Sequence, residues 1–328
     1  MNDLFFSSLK TEPCFACPRR CGVSRLSRAG FCRVSENPVV AKVMTHFWEE
    51  PCISGDKGSG AIFFSGCNLR CVFCQNKKIS RDGFGREITV YELSEIFKKL
   101  DKSGVNNINL VTPTHFSSAI SAALSIYRPS IPVVYNCGGY ESVDTLKALE
   151  GKIQIYLPDF KYSDPSLSAA FSAAQDYPQT ALSALKEMYR QVGPCKFGED
   201  GMLKSGMIVR HLVLPGHLEN SCGVIDLFAD TFEKGTVLAN IDPEQTTIGA
   251  NMRGSIRVTY NEGCYSYFTA QPESSLITVT GYDRSTDDGS DTVYFQTGAA
   301  AQSAQTRVKF VSSDGTVIGY ADVTILPG

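Results

Sequence analysis

An excess of either charge, a long apolar stretch and a signal-peptide pattern are all missing from this sequence, and each absence narrows what is expected. Its 328 residues carry 31 Lys+Arg against 34 Asp+Glu, a net charge of −3. No basic field is left to attract nucleic acid or an anionic membrane. No segment approaches the roughly 18 uninterrupted apolar residues of a membrane-spanning helix. The N-terminal MNDLFFSSLKTEPC has no basic stretch ahead of a long apolar run, so it does not read as a signal peptide. These features predict a soluble, cytoplasmic protein with neither nucleic acid nor membrane as partner.

What the chain has in excess is cysteine. There are 12, and Cys14, Cys17, Cys21, Cys32, Cys52, Cys67, Cys71 and Cys74 all fall near the N-terminus. In a long chain without a leader, clustered cysteines are more often metal ligands than disulfides.

At roughly 150 residues per domain, the length suggests about two domains. Three textures are visible. Residues 1–50 are rich in Cys and Arg with little periodicity, and read as a metal-binding extension. Residues 51–241 alternate apolar runs (61–65, 108–112, 132–136, 153–158, 207–214 and 236–241) with helix-like stretches at 90–103, 117–126, 143–149, 177–192 and 224–232. Apolar strands alternating with helices imply parallel βαβ units covered on both faces. About six of them predict a partial (β/α)6 TIM-like barrel, with reactive groups at the C-terminal ends of its strands. Residues 242–328 change to short Thr-, Val- and Tyr-rich alternating runs between Gly/Asp/Ser turns, predicting an all-β, immunoglobulin-like sandwich. The Cys…Trp…Cys pattern of antibody domains is missing from it, since the chain's single Trp is Trp48.

Residues 66–76 read GCNLRCVFCQN, a C-x3-C-x2-C spacing directly after the apolar run 61–65. Three thiolates this close suit three irons of a cubane and leave the fourth iron open, which a substrate-chelating centre requires. The bland alternative is three buried or zinc-binding cysteines. Cys14-x2-Cys17-x3-Cys21 with Cys32 gives four further soft ligands, suited to tetrahedral zinc or an auxiliary iron–sulfur cluster, or else left as plain thiols. Cys52, Cys137, Cys195, Cys222 and Cys264 read as ordinary small apolar residues.

The segment GDKGSGAIFFSGCNLRCVFCQN resembles the signature of radical S-adenosylmethionine (SAM) activating enzymes, which install a glycyl radical on a partner enzyme. HFWEEPCISG, NINLVTPTHF, VVYNCGGYE, IYLPDFKY, EMYRQVG and RHLVLPGHLENS are similar to the pyruvate formate-lyase activating enzyme-like branch, over about residues 12–240. The resemblance implies the incomplete barrel, a 4Fe–4S cluster on Cys67, Cys71 and Cys74, and SAM chelated by its open iron. It also implies a glycyl-radical enzyme as protein substrate and a flavodoxin- or ferredoxin-type electron donor.

By position in the family pattern, Phe73 falls where an aromatic residue lies against adenine. Thr112 and Thr114 stand where relatives carry a Gly-Gly-Glu stretch near the SAM amino group, a departure from the pattern. Asn136 ends the third strand, and Asp159 with Lys161 matches an Asp-x-Lys pair that contacts SAM. Arg210 offers a planar guanidinium that suits the SAM carboxylate. The bland reading of Asp159 and Lys161 is a structural ion pair; His46, His115 and His211 suit scaffold or functional roles equally. The runner-up functions are radical SAM chemistry on another peptide or small molecule, and an inactive or chimeric barrel carrying a binding module.

Overall fold

The computed structural model describes residues 13–214, 216–232, 237–241, 245–249, 253–259, 268–284, 290–297, 304–312 and 317–326. Cys264, residues 287–289 of the turn expected at 287–290, and the turn expected at 313–315 lie outside them. The chain divides into two compact units, residues 1–240 and 241–328.

The first unit is built on parallel strands β2 (Ser59–Phe64), β4 (Ile108–Val111), β5 (Val133–Cys137), β6 (Ile155–Pro158) and β8 (Leu203–Leu212), hydrogen-bonded in that order. Their side chains are buried on both faces, as the unbroken apolar runs anticipate. The crossovers contain helices α2 (Lys77–Ser80), α3 (Val90–Lys102), α4 (Ser117–Ile126), α5 (Val143–Ala148), α6 (Pro165–Ser172) and α7 (Tyr177–Val192). Helix α3 shows why a segment turns helical where it does. Thr89 caps the Glu92 amide, the Glu92 carboxylate caps the Thr89 amide in return, and Leu93, Phe97 and Leu100 form its buried stripe. Helix α8 (Leu218–Thr231) follows β8, and strand β9 (Val237–Ile241) pairs with β8.

Two parts of the sheet depart from the sequence reading. Residues 39–46, expected within an aperiodic extension, form strand β1 (Val39–His46), antiparallel to β2. Short β3 (Arg86–Glu87) pairs with β1, and β7 (Lys196–Phe197) borders β8 at the other edge. Among the described residues no pairing joins these edges, so the sheet is an open, mostly parallel barrel. One core lies between sheet and helices; a smaller one gathers Val134, Ile155, Leu157, Leu203 and Ile208 around Ile53 of α1 (Pro51–Ser54).

In the second unit, β10 (Gln245–Gly249), β12 (Phe268–Pro272), β15 (Ala304–Ser312) and β16 (Val317–Leu326) form one sheet. Strands β11 (Arg253–Thr259), β13 (Ile277–Arg284) and β14 (Ser290–Thr297) form another.

Candidate functional site

Strand ends decide what meets at the mouth of the barrel. The register sets Phe63 beside Val111, Val111 beside Asn136, and Cys137 beside Pro158, and an isolated bridge joins Asp159 to Arg210. The Cys67–Cys74 loop, Thr112, Asn136, Asp159 and Arg210 therefore come from the same edge of the sheet.

Each of the three motif sulfurs has its own hydrogen-bonding neighbour. The Leu69 amide donates to Cys67 Sγ at 3.3 Å, and the Ser172 hydroxyl donates to Cys71 Sγ at 2.9 Å. Cys74 Sγ lies 3.3 Å from Ser80 Oγ. Burial pushes the Cys67 thiol up to about 12, and Cys71 and Cys74 push the same way, which places the three sulfurs within electrostatic reach of one another. Lys161 acts against this at both Cys67 and Cys71. Donors aimed at sulfur and a nearby fixed cation are the surroundings a cluster-bound thiolate set needs, so these residues fit a 4Fe–4S cluster. Among the described residues, no three His, Cys, Asp or Glu side chains converge as ligands of one ion. A cubane does not require that, because each thiolate takes a different iron.

Behind the loop lies a buried charged network. Asp159 accepts from Lys161 Nζ at 2.5 Å and from Arg210 Nε at 3.0 Å. Burial opposes the Asp159 charge, but Lys161 and Arg210 outweigh it and hold the carboxyl below its ordinary value. Arg210 also donates to Asn136 Oδ1 at 2.6 Å and to Glu49 Oε2 at 3.3 Å, with Glu50 3.9 Å away. Burial raises Glu49 to about 7 against the pull of Arg210. The guanidinium that suited a SAM carboxylate is thus already spanned by the barrel's own oxygens.

Glu49, Glu50 and Asn109 are members of this network that the sequence reading did not single out. Asn109 Nδ2 donates to Glu49 Oε1 at 3.0 Å, yet Asn109 Oδ1 and Glu50 Oε2 are buried without a partner. The available signal was the pair of consecutive acids ahead of Pro51, of which Glu50 sits at the N-cap of α1 without a side-chain capping hydrogen bond.

Phe73 is half-buried against the main core. Thr112 stands at φ 59°, a conformation that strains a β-branched residue and holds the end of β4 in a fixed bend. Thr114 is buried, and its hydroxyl is committed to Glu141 at 2.6 Å. His115 and His211 are buried and hydrogen-bonded to the carbonyls of Ser65 (2.7 Å) and Phe160 (2.8 Å), a scaffold arrangement. Tyr177 ties the strand ends together: its hydroxyl accepts from the Lys161 amide at 3.0 Å and lies 2.9 Å from the carbonyls of Gly138 and Asp159. Gly139, at φ 78°, lets that crossing happen, since a β-carbon there would sit 2.0 Å from the Asp159 oxygen.

Fold and site together define an open, mostly parallel α/β barrel with a three-cysteine loop at the end of its first parallel strand. Residues 61–202 match the family model of the Radical SAM superfamily, so the chain carries a radical SAM domain. An uncharacterized protein of Methanocaldococcus jannaschii, MJ0674, is 32% identical over 216 residues, covering 63% of this chain. The chain spans 58% of that relative's length. Among solved structures, Streptococcus suis SuiB aligns over 54% of this chain and 37% of its own at 14% identity and a TM-score of 0.39. The S-layer protein rSbsC(31-844) aligns over 26% of this chain and 12% of its own at 14% identity and a TM-score of 0.20. Likenesses this low carry no functional argument. No helix among the described residues is long and apolar enough to cross a membrane.

Proposed function

We propose that this chain is a radical SAM enzyme in which Cys67, Cys71 and Cys74 hold a 4Fe–4S cluster, and that it takes hydrogen from a glycine of a partner enzyme. The observation that carries the cluster assignment is the set of three sulfurs at the end of β2, each with its own hydrogen-bonding neighbour. When bound, a reduced cluster supplies the electron that splits SAM into methionine and a hydrogen-abstracting 5′-deoxyadenosyl radical. This chain's residues bind and orient. Lys161 and Asp159 present a fixed ion pair beside the loop, Phe73 offers an aromatic face for adenine, and Thr112 holds the backbone bend next to them. The glycyl target rests on the sequence resemblance, as does a flavodoxin- or ferredoxin-type donor. Residues 242–328 we read as an immunoglobulin-like binding module.

A small-molecule substrate is the second reading, favoured by Asn109 Oδ1 and Glu50 Oε2. Both are buried acceptors that a substrate's N–H or O–H groups would satisfy.

Protein loaded anaerobically with iron and sulfide, reduced with dithionite and given SAM should release 5′-deoxyadenosine, and the Cys71→Ala variant should not. A loaded, reduced wild-type protein that releases none overturns the proposal. A glycyl-radical signal in an added glycyl-radical enzyme would separate the first reading from the second.

A further inference from the structure

The net charge of −3 conceals a sharp local imbalance. Residues 13–35 contain Arg19, Arg20, Arg25, Arg28 and Arg33 and no Asp or Glu. Residues 65–81, which carry the three-cysteine loop and α2, contain Arg70, Lys77, Lys78 and Arg81 and again no acid. Among the described residues none of the nine is ion-paired.

Packing gathers the two segments into one face. Arg19 donates to the Asn68 carbonyl at 2.8 Å, and the guanidinium carbons of Arg19 and Arg70 lie 3.9 and 4.1 Å from the centre of the Phe31 ring. Arg25 donates to the carbonyls of His115 and Ser35. Arg33 donates to the Arg81 carbonyl at 3.4 Å, and Arg81 donates to the carbonyls of Arg70 and Cys71 at 2.6 and 2.7 Å. Helix α2 is held to the cysteine loop by the Gly66 amide on the Ile79 carbonyl at 3.1 Å and by Ser80 beside Cys74. Arg20, Arg28, Arg33, Arg70, Lys77 and Lys78 are exposed. Two apolar side chains stand out among them: Val72, inside the cysteine loop, is 66% exposed, and Phe84, just past α2, is 63% exposed.

Cations crowded on one face repel one another. If they served only to offset thiolate charge, their donors would aim at sulfur. Arg19, Arg25, Arg33 and Arg81 instead donate to backbone carbonyls, and among the described residues the motif sulfurs take their contacts from Leu69, Ser172 and Ser80. Exposed apolar anchors within a rim of one charge sign suit a protein surface of the opposite sign. The proposed chemistry says which kind of protein. Each SAM cleavage consumes one electron, which no ordinary side chain gives up, so it arrives from outside through the surface nearest the sulfurs. We propose that this cationic face is the docking site of an acidic one-electron carrier protein, which seats on Arg33, Arg70, Lys77 and Lys78 around Val72 and Phe84. The inference deepens the radical SAM reading and rests on it. The carrier's reduced centre loses one electron and the 4Fe–4S cluster gains it, with no bond made or broken between the two proteins.

Binding is the first readout. The full chain, loaded anaerobically with iron and sulfide, is titrated by calorimetry with an acidic flavodoxin and, separately, with an acidic 2Fe–2S ferredoxin; basic cytochrome c is the control of reversed charge. At least one acidic carrier should bind saturably at low salt, and cytochrome c should not. Affinity should fall roughly tenfold or more in the Lys77→Glu/Lys78→Glu variant, and likewise on raising salt from about 0.05 to 0.3 M. Lys77→Arg/Lys78→Arg should keep it. Dithionite needs no docking face, so it should drive 5′-deoxyadenosine release equally in wild type and the Glu variant. Binding of neither carrier, binding indifferent to charge reversal and salt, tighter binding of a random-sequence RNA, or dithionite-driven release lost in the Glu variant alone would each overturn the docking site. A carrier that binds as expected to wild-type protein that releases no 5′-deoxyadenosine would instead overturn the radical SAM reading and leave the docking face standing.

Discussion

Glu141 gives the sharpest pH prediction. Its carboxyl is fully buried after β5, taking hydrogen bonds from Thr114 Oγ1 at 2.6 Å and Tyr135 Oη at 3.1 Å. Burial outweighs these donors and raises its pKa from 4.5 to about 7. A carboxyl raised on folding keeps in the native state a proton that the unfolded chain has given up. Its contribution to stability is therefore full below about pH 4.5 and is lost as pH rises through 7. At 1.36 kcal/mol per pKa unit, the loss is about 3 kcal/mol. Glu141→Gln fills the same space and never ionises. Urea unfolding of wild type and variant, followed by circular dichroism between pH 5 and 8, isolates this one group in the difference. The wild type should lose stability relative to the variant at up to about 1.4 kcal/mol per pH unit, levelling above pH 8. A flat difference across that range would refute the buried, proton-retaining carboxyl.

Two further outcomes follow from the fold. Tyr177→Phe keeps the ring but leaves the buried Lys161 amide without its acceptor, so unfolding should become easier by roughly 1–3 kcal/mol; a urea midpoint within error of wild type would contradict the stitching role. Residues 242–328 expressed alone should unfold cooperatively with β-type circular dichroism, as their separate compact unit implies, and an unfolded fragment from a folded parent would show that the strands need the barrel.

The parallel strands were readable because two-sided burial writes them as unbroken apolar runs, and 61–65, 108–112 and 132–136 lie on β2, β4 and β5. Strand β1 was missed because its residues are half-buried or exposed, so VVAKVMTH has no clean period. Helix α6 was missed although Asp164 caps it and Pro165 opens it, signals that outrank its weak apolar pattern. Helix α8 begins at Leu218 rather than 224, because its first turn carries polar residues. At the site, local spacing revealed the cysteine loop and Asp159-x-Lys161. Glu49 and Asn109 were not legible because their meaning comes from Arg210, brought to them from a distant strand.

The arginine clamps also fix a timetable. Arg19 reaches a carbonyl at Ala173, 154 residues further along the chain, and Arg25 reaches one at His115. The segment that carries these arginines is thus synthesised well before the carbonyls that seat it. At ~5–20 residues per second, its four thiols wait on the order of 8–30 s for their docking surface. During synthesis these thiols are uncovered, open to oxidation before the barrel beneath them exists.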